Sequence, residues 1–128
     1  MQLRALRGAI TVQDNEADAI LSATEELVHE LIARNGIAPE DMVSCIFTCT
    51  ADLDAEFPAV AARNLGLSSV PLLCAREMQV PGSLPRVIGI LLHYYADPAE
   101  PPNHVYLRDA VAPDITASCG YIENEGQA

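Results

Sequence analysis

Only one long stretch of this chain has the period of a helix, and that scarcity limits the folds available to it. Ile20, Leu21, Thr24, Leu27, Val28, Leu31 and Ile32 recur at intervals of three and four, while Glu16, Asp18, Glu25, Glu26 and Glu30 fall elsewhere. The spacing predicts an amphipathic helix. Asp14 and Asn15 are candidate caps before it, and Asn35-Gly36 ends it. The remaining apolar runs are short and read as strands. One long helix against about five strands predicts a mixed α/β fold with one sheet face left bare. A bare face invites oligomerisation.

The strands are placed by apolar runs and by turn residues between them. Leu3 to Ile10 reads as the first, with Arg4 and Arg7 on opposite faces by alternation and Gly8 near its end. Pro39-Glu40-Asp41 turns the chain into Met42 to Thr50, where Cys45, Phe47 and Cys49 share a face. Pro58 suits the first turn of a short helix, Ala59 to Leu65, which Gly66 ends, and Val70 to Cys74 follows as a strand. After the Pro81-Gly82 and Pro85 loop, Arg86 to Tyr95 and His104 to Val111 read as the last two strands. Residues 1–112 are therefore expected to form one domain and 113–128 a loose polar tail.

Charge narrows the partners. The 128 residues carry a formal net charge of −11, a field that repels polyphosphate and anionic lipid, so no nucleic acid and no membrane is expected as a partner. The longest apolar run, Val87 to Leu92, is far too short for a span. All seven basic residues are arginine. Base composition of a genome explains that equally well, but guanidinium also grips a carboxylate through two parallel hydrogen bonds where ammonium offers a point charge. Cys45, Cys49, Cys74 and Cys119 form no CxxC pair and no secretory signal opens the chain, which predicts reduced thiols in the cytoplasm. A soluble domain that holds a small anionic metabolite with placed arginines, Arg7 and Arg63 first, fits these bounds.

Several chemistries lack their residues. His29, His93 and His104 are scattered with no HxH or HExxH, so no metal is expected. No GxSxG elbow and no glycine-rich phosphate loop is present. Cys45 and Cys49 read as core thiols. Cys74 closes a strand three residues before Glu77, so the pair marks either a strand-end site or a thiol beside a solvated loop carboxylate. Tyr106 is either a core aromatic or a hydroxyl donor to a carboxylate. Arg63 is either a solvated helix residue or a cation beside the apolar wall that Phe57-Pro58-Ala59 builds.

Taken in order, Arg7-Gly8-Ala9 with Thr11-Val12, Thr48 to Asp52, Phe57-Pro58-Ala59 with Arg63, Val70-Pro71, Cys74-Ala75-Arg76-Glu77-Met78, Val80, Gly82, Leu84 and His104-Val105-Tyr106-Leu107 resemble the AroH class of chorismate mutase. The resemblance runs from about residue 3 to 111. It implies a homotrimer with a pseudo-α/β-barrel core and active sites at subunit interfaces. It implies an isomerase that rearranges chorismate to prephenate, in the shikimate pathway to aromatic amino acids, with no cofactor. Arg7 and Glu77 would be the catalytic pair, with Tyr106 helping Arg7 hold the side-chain carboxylate. Glu77 and the Cys74 region would meet the ring hydroxyl, and Phe57, Ala59, Arg63 and Leu73 would form the opposing wall from the adjacent subunit.

Two departures matter. The family's central arginine, which sits at the ether oxygen, aligns with Gly89, and the segment from Val111-Ala112 to Pro113-Asp114 is two residues short. Arg86, three residues before Gly89, falls on the other face, whereas Arg76 in the adjoining loop is placed to swing toward Gly89. These departures leave room for weakened activity, for a related carboxylated cyclic substrate in a specialised pathway, or for a trimer that binds a metabolite without turning it over.

Overall fold

The computed structural model describes residues 1–110; the expected tail 113–128, its boundary at 112 and the last residue of the final expected strand lie outside them. In chain order the elements are β1 (Gln2–Thr11), α1 (Ala17–Asn35), a single 3-10 turn at Pro39–Asp41, β2 (Met42–Cys49), α2 (Ala59–Asn64), β3 (Leu72–Arg76), β4 (Val87–Ala96) and β5 (Val105–Leu107). They build one five-stranded sheet in the order β3-β2-β4-β1-β5. β4 runs antiparallel to both of its neighbours, while each edge strand, β3 and β5, lies parallel to the strand beside it. The sheet is therefore mixed, as the strand count required.

Side-chain alternation sorts the two faces. Leu6 and Ile10 of β1, Cys45 and Phe47 of β2, and Ile88, Ile90 and Leu92 of β4 point one way and are buried with Ile20, Leu27 and Leu31 of α1 and Ala59 and Ala62 of α2. Both helices thus cover the same face. Gly8 sits at the closest approach of this layer: a Cβ there would lie 3.0 Å from the Val105 carbonyl oxygen and 3.2 Å from a Leu27 methyl. The opposite face carries Ala5, Arg7, Ala9 and Thr11, then Gly89, Leu91 and His93, then Ile46 and Thr48, and finally Leu73 and Ala75, in register across four strands. Among the described residues no helix covers it.

The helix α1 begins without the side-chain cap expected of Asp14 or Asn15. Glu16 occupies the cap position and makes no capping bond, because Asn15 is used elsewhere: its amide donates to Asp54 Oδ1 at 2.7 Å and its oxygen accepts the Asp54 and Ala55 amides. At the other end Gly36 is left-handed (φ 59°) and its amide closes onto the Ile32 carbonyl, as Asn35-Gly36 predicts.

β3 runs Leu72–Arg76 rather than Val70 to Cys74, and two further strands differ from their expected extents for identifiable reasons. Arg86 is not in β4; it is a left-handed corner at φ 51°, so the alternation that put it on a face relative to Gly89 does not apply. The final strand spans Val105–Leu107 rather than His104 to Val111, because Arg108 turns left-handed (φ 57°). Its guanidinium then donates to the Thr11 carbonyl at 3.1 Å and pairs with Glu26.

Candidate active site

The register brings Arg7 and Tyr106 together. Arg7 lies opposite Leu91 on β1, and Tyr106 of β5 lies beside Ala9, two residues further on. Strand spacing puts their Cα atoms roughly 8 Å apart on the helix-free face. Gly89 occupies the centre of the same face, opposite Ala9 on one side and Thr48 on the other. The row Tyr106, Ala9, Gly89, Thr48, Ala75 therefore crosses all five strands.

Glu77 enters from the far side of this row. It follows β3 directly, and its amide donates to the Cys49 carbonyl at 2.9 Å, which extends the β2–β3 pairing past the strand end. Its half-buried carboxyl is raised above the usual carboxylate range by burial, and the Arg7 charge pulls in the opposite direction. A cation on β1 thus acts on a carboxyl just past β3, across Gly89. With Thr50, Met78, Val80, Leu84 and other loop residues, Glu77 lines a pocket of about 400 Å³.

Cys74 stands apart from Glu77. It pairs with Phe47, so its thiol belongs to the helix-covered face, and it lines a second pocket of about 450 Å³ with Phe57, Pro58 and Arg76. Burial first, and Cys74 second, push the Cys45 thiol up to about 12 and the Cys49 thiol up to about 11, so both remain neutral, as core thiols should.

The expected opposing wall is spread out within one chain. Phe57 is 68% exposed at the mouth of the second pocket and Leu73 is 59% exposed on the other sheet face. Arg63 is exposed in the last turn of α2. Ala59 is the exception: only 7% exposed, it turns its methyl into the core, because α2 is short and its alanines are the face laid on the sheet. Arg76 is also not directed toward Gly89. It pairs with Cys49 on the face opposite to Gly89, and its guanidinium donates to the Ala51 carbonyl at 3.0 Å.

Sequence reading missed the residues that hold this region in shape. The Asp52 carboxylate accepts the Arg86 amide at 3.0 and 3.1 Å and the Thr50 hydroxyl at 2.5 Å. Thr50 Oγ1 in turn accepts the Val87 amide, and Arg86 Nε donates to the Val12 carbonyl, each at 3.0 Å. This network pins the left-handed corner from which β4, and hence Gly89, departs. The Thr50-x-Asp52 spacing of a side-chain-bonded turn is the signal that points to it. Asp52→Ala is expected to lower unfolding stability by about 1 to 2 kcal/mol, since a charge-assisted acceptor shared by two donors is lost, with Asp52→Asn losing less; a urea titration of the three proteins measures both.

Among the described residues no group of three or more His, Cys, Asp or Glu is disposed to hold a metal ion, and no helix is long and apolar enough to cross a membrane. What the site offers is a cation, a phenol and a half-buried carboxyl around a glycine, which suits holding an anion that also bears a hydroxyl.

Comparison with known proteins points the same way. Residues 3–114 match the family described as chorismate mutase type I. The chain is 48% identical over 120 residues to chorismate mutase AroH of Thermus thermophilus, covering 91% of this chain and 98% of that one. It is 38% identical over 120 residues to chorismate mutase AroH of Bacillus subtilis (strain 168), covering 91% and 94%. The solved chorismate mutase from Clostridium thermocellum superposes with a TM-score of 0.77 at 47% identity, over 81% of this chain and 94% of that one.

Proposed function

The chain belongs to the chorismate mutase type I family, and on that premise we propose that it is an isomerase rearranging chorismate to prephenate. The observation that carries the reading is the placement of Arg7, Gly89 and Tyr106 on one face of the sheet, with Glu77 just past the end of β3. The rearrangement is intramolecular: a carbon–oxygen ether bond breaks while a carbon–carbon bond forms. The protein's part is to hold a flexible dicarboxylate in its reactive conformer and to stabilise charge building on the ether oxygen.

In this reading Arg7 and Tyr106 grip the side-chain carboxylate and Glu77 accepts the ring hydroxyl proton in a hydrogen bond. Phe57, Arg63 and Leu73 close the site from a neighbouring subunit, with Cys74 behind Phe57 in the second pocket. The separation of the two groups within one chain, and the helix-free sheet face, support a homotrimer with a site at each interface. Gly89 supplies no charge to the ether oxygen, so turnover is weakened relative to a member with arginine there.

Incubation of the purified chain with chorismate tests the reading. Prephenate should form faster than in buffer alone, and light scattering should give three times the 13.7 kDa chain mass. Formation at the uncatalysed rate by a folded trimer rejects the mutase activity, and a monomer rejects the interface site.

A further inference from the structure

Where β5 meets β1, one hydrogen bond of the ladder is made by a ring. The parallel register begins at Gly8↔Val105, and one residue earlier the Arg7 amide donates to His104 Nδ1 at 3.0 Å. Nδ1 accepts only when the proton of the neutral ring is on Nε2. The chain on either side of His104 is also tied. Asn35 Oδ1 accepts the Asn103 amide at 2.8 Å and Asn35 Nδ2 donates to the Asn103 carbonyl at 3.0 Å, while Val105 is 1% exposed in the core.

We propose that His104 is a positioning residue for the anion site: its ring stands in for a strand carbonyl, and so holds the backbone of Arg7 and the strand that carries Tyr106 in one frame. The inference rests on the reading that Arg7 and Tyr106 grip the substrate carboxylate, and it adds a residue that touches no substrate. The bond fixes a backbone amide at the base of the Arg7 side chain. Its loss leaves the guanidinium in place but loosens its spacing to Tyr106, two residues beyond His104. A two-point grip on a carboxylate is sensitive to that spacing.

Two substitutions separate this role from simple structural damage. Asn Oδ1 is attached one bond beyond Cβ–Cγ, as His Nδ1 is, so His104→Asn retains an acceptor at the same place whereas His104→Ala does not. Amide hydrogen exchange at Arg7 and at Val105, whose N–H faces β1 in the parallel register, should be slow in the wild type, accelerated at both in His104→Ala, and restored in His104→Asn. The KM for chorismate should rise by about 3- to 10-fold in His104→Ala with kcat nearly unchanged, the signature of weakened uniform binding, and return toward wild type in His104→Asn. An unprotected Arg7 amide in the wild type, acceleration confined to Arg7, or failure of asparagine to restore both readouts overturns the proposal. If chorismate is not a substrate of the wild type, the proposed function fails, and exchange at Arg7 and Val105 still decides whether His104 frames the two strands.

Discussion

Gly89→Arg is expected to raise kcat/KM for chorismate by about 100- to 1000-fold, the usual worth of one preorganised donor at a developing negative charge, about 3 to 4 kcal/mol. The gain should be mainly in kcat. Charge on the ether oxygen grows only as the bond breaks, so an added cation there stabilises the transition state more than the bound substrate. The position suits the change: Gly89 lies midway across the helix-free face, between Ala9 and Thr48, whose side chains are small. Glu77, already under the influence of Arg7, offers a counter-charge to a second guanidinium on the same face. Because the substitution adds a large side chain to a buried strand position, a companion measurement keeps the idea testable: free guanidinium at non-denaturing concentration should accelerate the wild type and leave Gly89→Arg unaffected. A variant with wild-type melting and trimer mass but no gain in turnover, or a wild type indifferent to guanidinium, would sink the claim that a missing charge limits this enzyme.

The reach of sequence reading differed between periodic and non-periodic features. α1 was legible because its core contacts repeat with the helical period, and Gly36 ends it at a left-handed φ of 59°. The sharing of one face by Cys45 and Phe47 was legible because alternation in a strand is a fixed property of the backbone. What the sequence left open lies where partners distant in the chain decide the placement. Arg86 reads as a strand residue in sequence, but the Asp52 carboxylate on its amide and its own Nε bond to Val12 hold it as a corner. Arg76 reads as part of a loop from which it can swing toward Gly89, but parallel pairing with Cys49 puts it on the other face. Ala59 reads as part of an apolar wall, and its methyl is buried because a six-residue helix has few side chains with which to reach the sheet, and this is one of them. His104 and Asn15 carry no periodic signal because each acts on a partner distant in sequence, at β1 and at residues 54–55 respectively.

Arg7→Ala should be as damaging as Gly89→Arg is beneficial, with kcat/KM reduced by about 100-fold or more, since a charge-assisted grip on a desolvated carboxylate is worth about 2 to 5 kcal/mol when one partner is removed. A second consequence distinguishes the charge from the shape of the side chain. Glu77 is raised by burial and lowered by Arg7, so removing Arg7 lets burial act unopposed and the carboxyl titrates higher still. At a given pH less of it is ionised, and the acid limb of the activity profile therefore moves to higher pH in Arg7→Ala. The stability linkage has the matching sign. With its folded value above its unfolded one, Glu77 holds its proton longer in the native state, so its contribution is full in acid and is lost as pH rises through the folded value. That loss is larger in Arg7→Ala, whose stability should fall further below wild type at neutral pH than in acid. Arg7→Lys separates the effects: it keeps a cation near Glu77, so the titration stays near wild type, but forfeits the bidentate fork, so binding still weakens. Carboxyl-carbon NMR of Glu77 in the three proteins reads the titration directly, and a Glu77 value that falls in Arg7→Ala is incompatible with any electrostatic link between the two residues across Gly89.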